Sequence, residues 1–150
     1  ALILTRQNLP HLERDSNQIR TIRRGGYVLK ECSGAPKAVI IATGSEVCLA
    51  LDAQQALAGK GIAVRVVSLP SSFVFDQQDL SYRESVLPRG VPRVAVEAGV
   101  TGYWRQYVGL EGAVVGIDRF GESAPASQVF EYLGITVAGV VAAVEGVVAV

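Results

Sequence analysis

Apolar residues along this chain fall into short runs with two different spacings. Residues 38–42 (AVIIA) form an unbroken apolar run rich in β-branched side chains, followed by Thr43-Gly44-Ser45-Glu46 and then by apolar positions at Val47, Ala50, Leu51, Leu57 and Ala58. A continuous β-branched run predicts a strand buried on both faces, and the spacing after it predicts a helix. Gly44 permits the turn, and Ser45 or Thr43 is expected to cap the helix. After Gly59-Lys60-Gly61 a second run, 63–69 (AVRVVSL), completes a βαβ unit that Pro70 ends. Two more short strands are predicted at 93–97 (RVAVE) and 113–117 (AVVGI), with a helix over 101–110 between them. Alternating strands and helices of this length define an α/β domain.

The flanks read differently. Residues 1–5 predict a strand, and 6–10 (RQNLP) a polar turn away from it. From His11 to Arg24 no hydrophobic face is wide enough for a packed helix, so this stretch reads as a surface linker closed by Gly25-Gly26. Residues 27–32 (YVLKEC) predict a short strand feeding antiparallel into the 38–42 run. Residues 71–80 read as a loop with an apolar centre at Phe73-Val74-Phe75, and 81–87 as one or two helical turns ended by Pro88. Pro125 opens a helix to Leu133, Gly134 breaks it, and Thr136 starts a C-terminal helix. That tail is rich in Val, Ala and Gly, but it is shorter than the ~20 residues a membrane span needs and Glu145 interrupts it, so packing on the sheet is expected. A chain without methionine that opens on Ala1-Leu2-Ile3-Leu4 reads as a piece of something longer.

Composition narrows the function classes. Fourteen basic residues balance fourteen acidic ones, which argues against a nucleic-acid binder. The four arginines of the linker read as solvated charge offset by Glu13 and Asp15, and Tyr103, Trp104 and Tyr107 as a helix face on the sheet rather than a base-stacking platform. Cys32, Cys48 and the lone His11 cannot assemble a metal site; the cysteines are expected to be free buried thiols of a reducing cytoplasm.

In an open α/β sheet, ligands bind at the carboxyl ends of the strands. Those ends carry Thr43-Gly44-Ser45-Glu46, Ser68-Leu69-Pro70-Ser71 and Glu97-Ala98-Gly99. The first could offer backbone N–H groups to an anion, which keeps a regulatory or nucleotide-binding module as the alternative reading. It has one glycine, however, and Glu46 would repel a phosphate. Glu97 lacks a catalytic companion and reads as a hydrogen-bonding partner at a domain or subunit contact. Ser45, Ser71 and Ser123 have no nearby histidine to activate them. No catalytic, cofactor-binding or metal-binding residue is assigned from pattern alone.

Six blocks carry a resemblance: LTRQNLP (4–10), RGGYVL (24–29), IATGSEV (41–47), YRESVLP (82–88), VEAG (96–99) and FGESAP (120–125). In this order, over essentially the whole chain, they resemble the C-terminal end of the transketolase family. The resemblance implies a three-layer α/β/α fold with a mixed, mostly parallel five-stranded sheet. It implies that residues 1–9 end a preceding pyrimidine-binding domain, 10–26 link, and 27–150 form the C-terminal domain. Whole members of the family move a two-carbon ketol unit between sugar phosphates, using thiamine diphosphate and Mg²⁺ (or Ca²⁺) at the interface of a cytoplasmic homodimer. Their cofactor motifs belong to domains this chain does not contain, so the piece is expected to be non-catalytic, serving subunit packing and scaffolding. One active-site position carries over: Arg6 of the Thr-Arg-Gln-Asn motif is expected to grip the substrate phosphate, as a guanidinium forks onto phosphate oxygens. His11 receives no role. A related thiamine enzyme, such as a deoxyxylulose-phosphate synthase or a two-subunit oxo-acid decarboxylase, fits the 6–8 and 121–125 blocks less well.

Overall fold

The computed structural model describes residue 5 and residues 7–149. The expected strand over 1–5 therefore falls almost entirely outside the described residues. Five strands, β1 (Tyr27–Lys30), β2 (Ala38–Ala42), β3 (Val64–Ser68), β4 (Arg93–Val96) and β5 (Ala113–Val115), form one sheet in the order β1-β3-β2-β4-β5. All neighbours are parallel except β1, which runs antiparallel to β3. The helices are α1 (Ser16–Ile22), α2 (Glu46–Gly59), α3 (Ser72–Asp76), α4 (Leu80–Val86), α5 (Thr101–Val108), α6 (Ala126–Tyr132) and α7 (Val137–Val148).

The period of two along a strand sends alternate side chains to two cores. Ile40, Val66 and Val94 face a core shared with Leu57 of α2 and with Val140 and Val144 of α7. Val39, Ile41, Val67 and Ala95 face the other, filled by Phe75, Val86, Trp104 and Tyr107 from α3, α4 and α5. This explains the unbroken run at 38–42: β2 lies between β3 and β4 with helices on both faces, and all five of its residues are buried. The apolar tail is α7, packed on α2, β4 and β5. Gly134, with φ at +73°, breaks the apolar 126–148 stretch into two helices.

Three expectations need correction. The 27–32 strand does not pair with the 38–42 run; β3 lies between them, so the intervening turn makes a crossover rather than a hairpin. The 71–80 stretch contains α3, because Ser71 Oγ accepts from Val74 N (3.4 Å) while Phe75 sinks into the core. The linker contains α1, a helix with no buried residue. Reciprocal capping starts it: Asp15 accepts from Asn17 N and Gln18 N at 2.8 and 2.7 Å, and Gln18 Oε1 accepts from Asp15 N. Two side chains then tie the segment to β1: Gln18 Nε2 donates to Leu29 O (2.7 Å) and Arg14 Nε to Tyr27 Oη (2.7 Å).

Candidate functional site

The carboxyl ends of β2, β3 and β4 open on a cleft of about 580 Å³, lined in part by Thr43, Ser71, Phe73, Glu97 and Tyr103. Glu46 opens α2 and is buried. Its Oε1 accepts from Ser45 Oγ (2.6 Å) and its Oε2 from Ala98 N (3.4 Å). Ser45 therefore does not cap the helix as expected, nor does any other described side chain; its hydroxyl serves the neighbouring carboxylate. A buried carboxylate at the helix N-terminus already uses the field that an anionic ligand would need, which counts against nucleotide phosphate binding at this turn.

Glu97 leaves β4 and accepts from Trp104 Nε1 at 2.6 Å. Glu97 is a hydrogen-bonding partner as expected, and the partner found here belongs to the same domain: the carboxylate anchors the indole that plugs one core. Trp104 and Tyr107 pack on the sheet as the helix spacing predicts, whereas Tyr103 is exposed and donates to Ser72 Oγ (2.5 Å) across the cleft. The backbone opening α5 is capped from a distance. Asp118, beyond β5, accepts from Thr101 N (2.9 Å) and Thr101 Oγ1 (2.7 Å), and these bonds hold its carboxyl below the ordinary carboxylate range. Burial and the nearby Asp76 carboxylate push the Tyr107 phenol well above its usual range. Tyr107 Oη donates to both Asp76 oxygens.

Arg6, the expected phosphate contact, lies outside the described residues. Its neighbours Gln7 and Leu9 border a cleft of about 750 Å³ with Ser45, Cys48, Ser127 and Phe130. Gln7 and Leu9 thus lie beside the starts of α2 and α6. RGGYVL and YRESVLP, far apart in sequence, form one packing unit. The Arg24 guanidinium stacks 3.3 Å from the Tyr82 ring centre, and Tyr82 Oη donates to Gly26 O (2.8 Å). Gly25, at φ +85°, lies so close to α3 that an added Cβ would sit 2.3 Å from Ser71 O. FGESAP, by contrast, lies open to solvent, with Phe120 95% exposed. His11 is exposed. Both cysteines are free but only half-buried, not buried as expected, because Cys32 lies in the loop after β1 and Cys48 borders the Gln7–Leu9 cleft. Among the described residues no group of three or more His, Cys, Asp or Glu side chains converges to hold a metal ion. Together with the carboxylate on α2, this donor set does not fit a diphosphate–metal pair. Sequence reasoning missed Gln54 and Arg83, whose surroundings come from distant segments and leave no local signal.

A mostly parallel five-stranded sheet with helices on both faces, its strand-end carboxylates bonded within its own packing, defines a doubly wound α/β domain. Residues 25–136 match the model of the transketolase-like TK C-terminal domain, and the chain belongs to that family. It is 59% identical over 143 residues to transketolase 1 of Escherichia coli (strain K12), covering 95% of this chain and 22% of that protein. Transketolase 2 of Pasteurella multocida (strain Pm70) is 54% identical over 146 residues, again with 22% of its length covered. The chain thus spans about a fifth of the length of these curated relatives. Among solved structures, a transketolase from Pichia stipitis superposes with a TM-score of 0.86 at 42% identity, over 96% of this chain and 20% of that one. A split-gene transketolase described as an inactive β4 tetramer superposes at 0.68 with 31% identity, over 96% of this chain and 48% of that one.

Proposed function

We propose that this chain is the C-terminal α/β part of a thiamine-diphosphate enzyme that transfers a two-carbon ketol unit between sugar phosphates, and that it scaffolds and packs without turning over substrate alone. The family match over residues 25–136 carries this reading. In the proposed division, residues 1–9 end the pyrimidine-binding domain, 10–26 link, and 27–150 form the C-terminal domain. The docking of α1 on β1 supports a linker that is held in place rather than free. Thiamine diphosphate and Mg²⁺ (or Ca²⁺) belong to the remaining domains, and the whole protein is a cytoplasmic homodimer. The exposed FGESAP loop is the segment best placed to meet those other parts. Arg6 grips the sugar phosphate, a substrate class supported by the Pichia stipitis relative, described in complex with xylulose 5-phosphate.

The test mixes this chain with a polypeptide carrying the other two domains, thiamine diphosphate and Mg²⁺. Ketol transfer is expected only in the mixture, and Arg6→Ala is expected to raise the KM for the sugar phosphate at least about tenfold, the worth of a charge-assisted contact. Activity of the chain alone, or an unchanged KM in the variant, refutes the respective assignment.

A further inference from the structure

The least satisfied chemistry in the described residues lies between α3, α4, α5 and the start of β4. A cleft of about 400 Å³ there is lined by three arginines, Arg83, Arg89 and Arg93, and by two carboxylates, Asp76 and Glu84. Both carboxylates are engaged: Arg89 pairs with Glu84, and Asp76 accepts from Tyr107 Oη. Arg93 is held by carbonyls alone, through Nη2 to Leu87 O (2.9 Å) and Pro88 O (3.0 Å) and through Nη1 to Tyr107 O (2.9 Å). These bonds fix its position but leave its charge without a counter-ion. The Arg83 side chain has no hydrogen bond or ion pair with any other described residue, and its Nε is buried without a partner. Folded proteins rarely leave a buried donor unmatched, and a guanidinium least of all.

We propose that this cleft is an anion site that takes the phosphate group of a small phosphate monoester. Arg83 turns its Nε–Nη edge onto the phosphate oxygens, a two-pronged geometry that lysine cannot reproduce. Arg93 stands behind it as a fixed charge. Phe75, Leu80 and Leu87 line the same cleft and offer apolar surface to a short carbon skeleton. The volume suits a small metabolite and is near the lower end for ligand pockets. The inference is independent of the role assigned to Arg6.

The 150-residue chain is titrated with inorganic phosphate and with glycerol 3-phosphate at ionic strength held constant with NaCl. Backbone amide and arginine Nε–H shifts are followed by ¹⁵N NMR. Saturable shifts centred on Arg83, Gln106 and Tyr107 are expected, with Arg83→Gln and Arg83→Lys each weakening binding at least about tenfold. The ligand-free melting temperature of Arg83→Gln is expected to be unchanged or raised, because the variant removes an uncompensated charge. Tighter binding of glycerol 3-phosphate identifies the ligand as a monoester, and equal binding assigns the site to free phosphate. Shifts that do not saturate, map elsewhere or persist unchanged in Arg83→Gln overturn the proposal. Should that variant not fold, an Arg83 Nε–H resonance unmoved by either ligand in the unaltered chain overturns it equally.

Discussion

Gln54 is a polar side chain buried in α2, only 7% exposed, and its carboxamide fastens the sheet edge to the helix. Nε2 donates to Val64 O at 2.7 Å, Glu31 O at 3.2 Å and Lys30 O at 3.4 Å. The pairing of β1 with β3 ends at Val66, so this amide continues the edge where the strand ladder stops. Gln54→Leu keeps the volume and removes the donor. The bonds to Lys30 O and Glu31 O are part-buried beside a cleft of about 810 Å³, where water can replace them, whereas the bond to Val64 O is buried, so mainly Val64 O is left unsatisfied. One unmet buried acceptor costs about 1–3 kcal/mol, so a loss of about 2 kcal/mol is expected. Gln54→Glu replaces the donor with a carboxylate facing three carbonyls, and its cost at pH 7 is expected to exceed about 3 kcal/mol. Desolvation and the carbonyls raise the folded-state pKa of that carboxyl above its unfolded value of about 4.3. Below that value the acid is protonated in both states and can donate, so the excess cost vanishes; it grows as pH rises from there towards the folded pKa. Urea titrations followed by far-UV circular dichroism and by the fluorescence of the single tryptophan, Trp104, give both variants' stabilities between pH 4 and 7. A Glu variant within about 0.5 kcal/mol of the Leu variant at pH 7, or a gap independent of pH, would refute the reasoning.

Three further substitutions test other contacts. Gly25→Ala puts a methyl 2.3 Å from Ser71 O at a φ of +85°, so a loss of about 3 kcal/mol or more is expected. Gly121→Ala, with no neighbour within 4 Å, should leave the melting temperature nearly unchanged; equal melting of the two would remove the close-approach argument. Asp118→Asn probes the remote cap on α5. Because Asp118's folded-state pKa is lowered by its bonds to Thr101, its contribution is present above the ordinary carboxylate pKa of about 3.9 and is lost as pH falls through the lowered value. The variant should therefore melt below the unaltered chain at pH 6, with the gap narrowing as pH falls below about 3.9; a constant difference down to acid pH would argue against the assignment.

Much of the architecture is legible one segment at a time. The run at 38–42 announces a buried parallel strand because both faces of β2 are covered, and the 63–69 run is broken only by Arg65 and Ser68. The linker helix was missed on hydrophobic grounds since α1 buries nothing, yet Asp15 and Gln18 carry its capping signature at the right spacing. The partner of β1 had no signature: proximity along the chain favours β2, but the crossover through α2 inserts β3 beside it. Glu97 shows the same limit at the strand ends, where a carboxylate reads as a hydrogen-bonding partner but its mate, Trp104, is named only once α5 packs against the sheet.

Hydrophobic period, turn residues and the six ordered blocks, all local properties of the amino-acid sequence, determined the α/β class, the order of the strands and of every helix but α1 and α3, and the family. Tertiary structure alone decided what the polar side chains do. Closing the sheet spends Glu46 and Glu97 on internal hydrogen bonds, sets Gln54 against the edge carbonyls, joins Arg24 to Tyr82, and gathers Arg83, Arg89 and Arg93 around one cleft. The physical reason is range. Backbone preference and burial pattern act over a few residues, whereas a hydrogen bond or an ion pair depends on which distant segments the packed core brings within about 3 Å of each other.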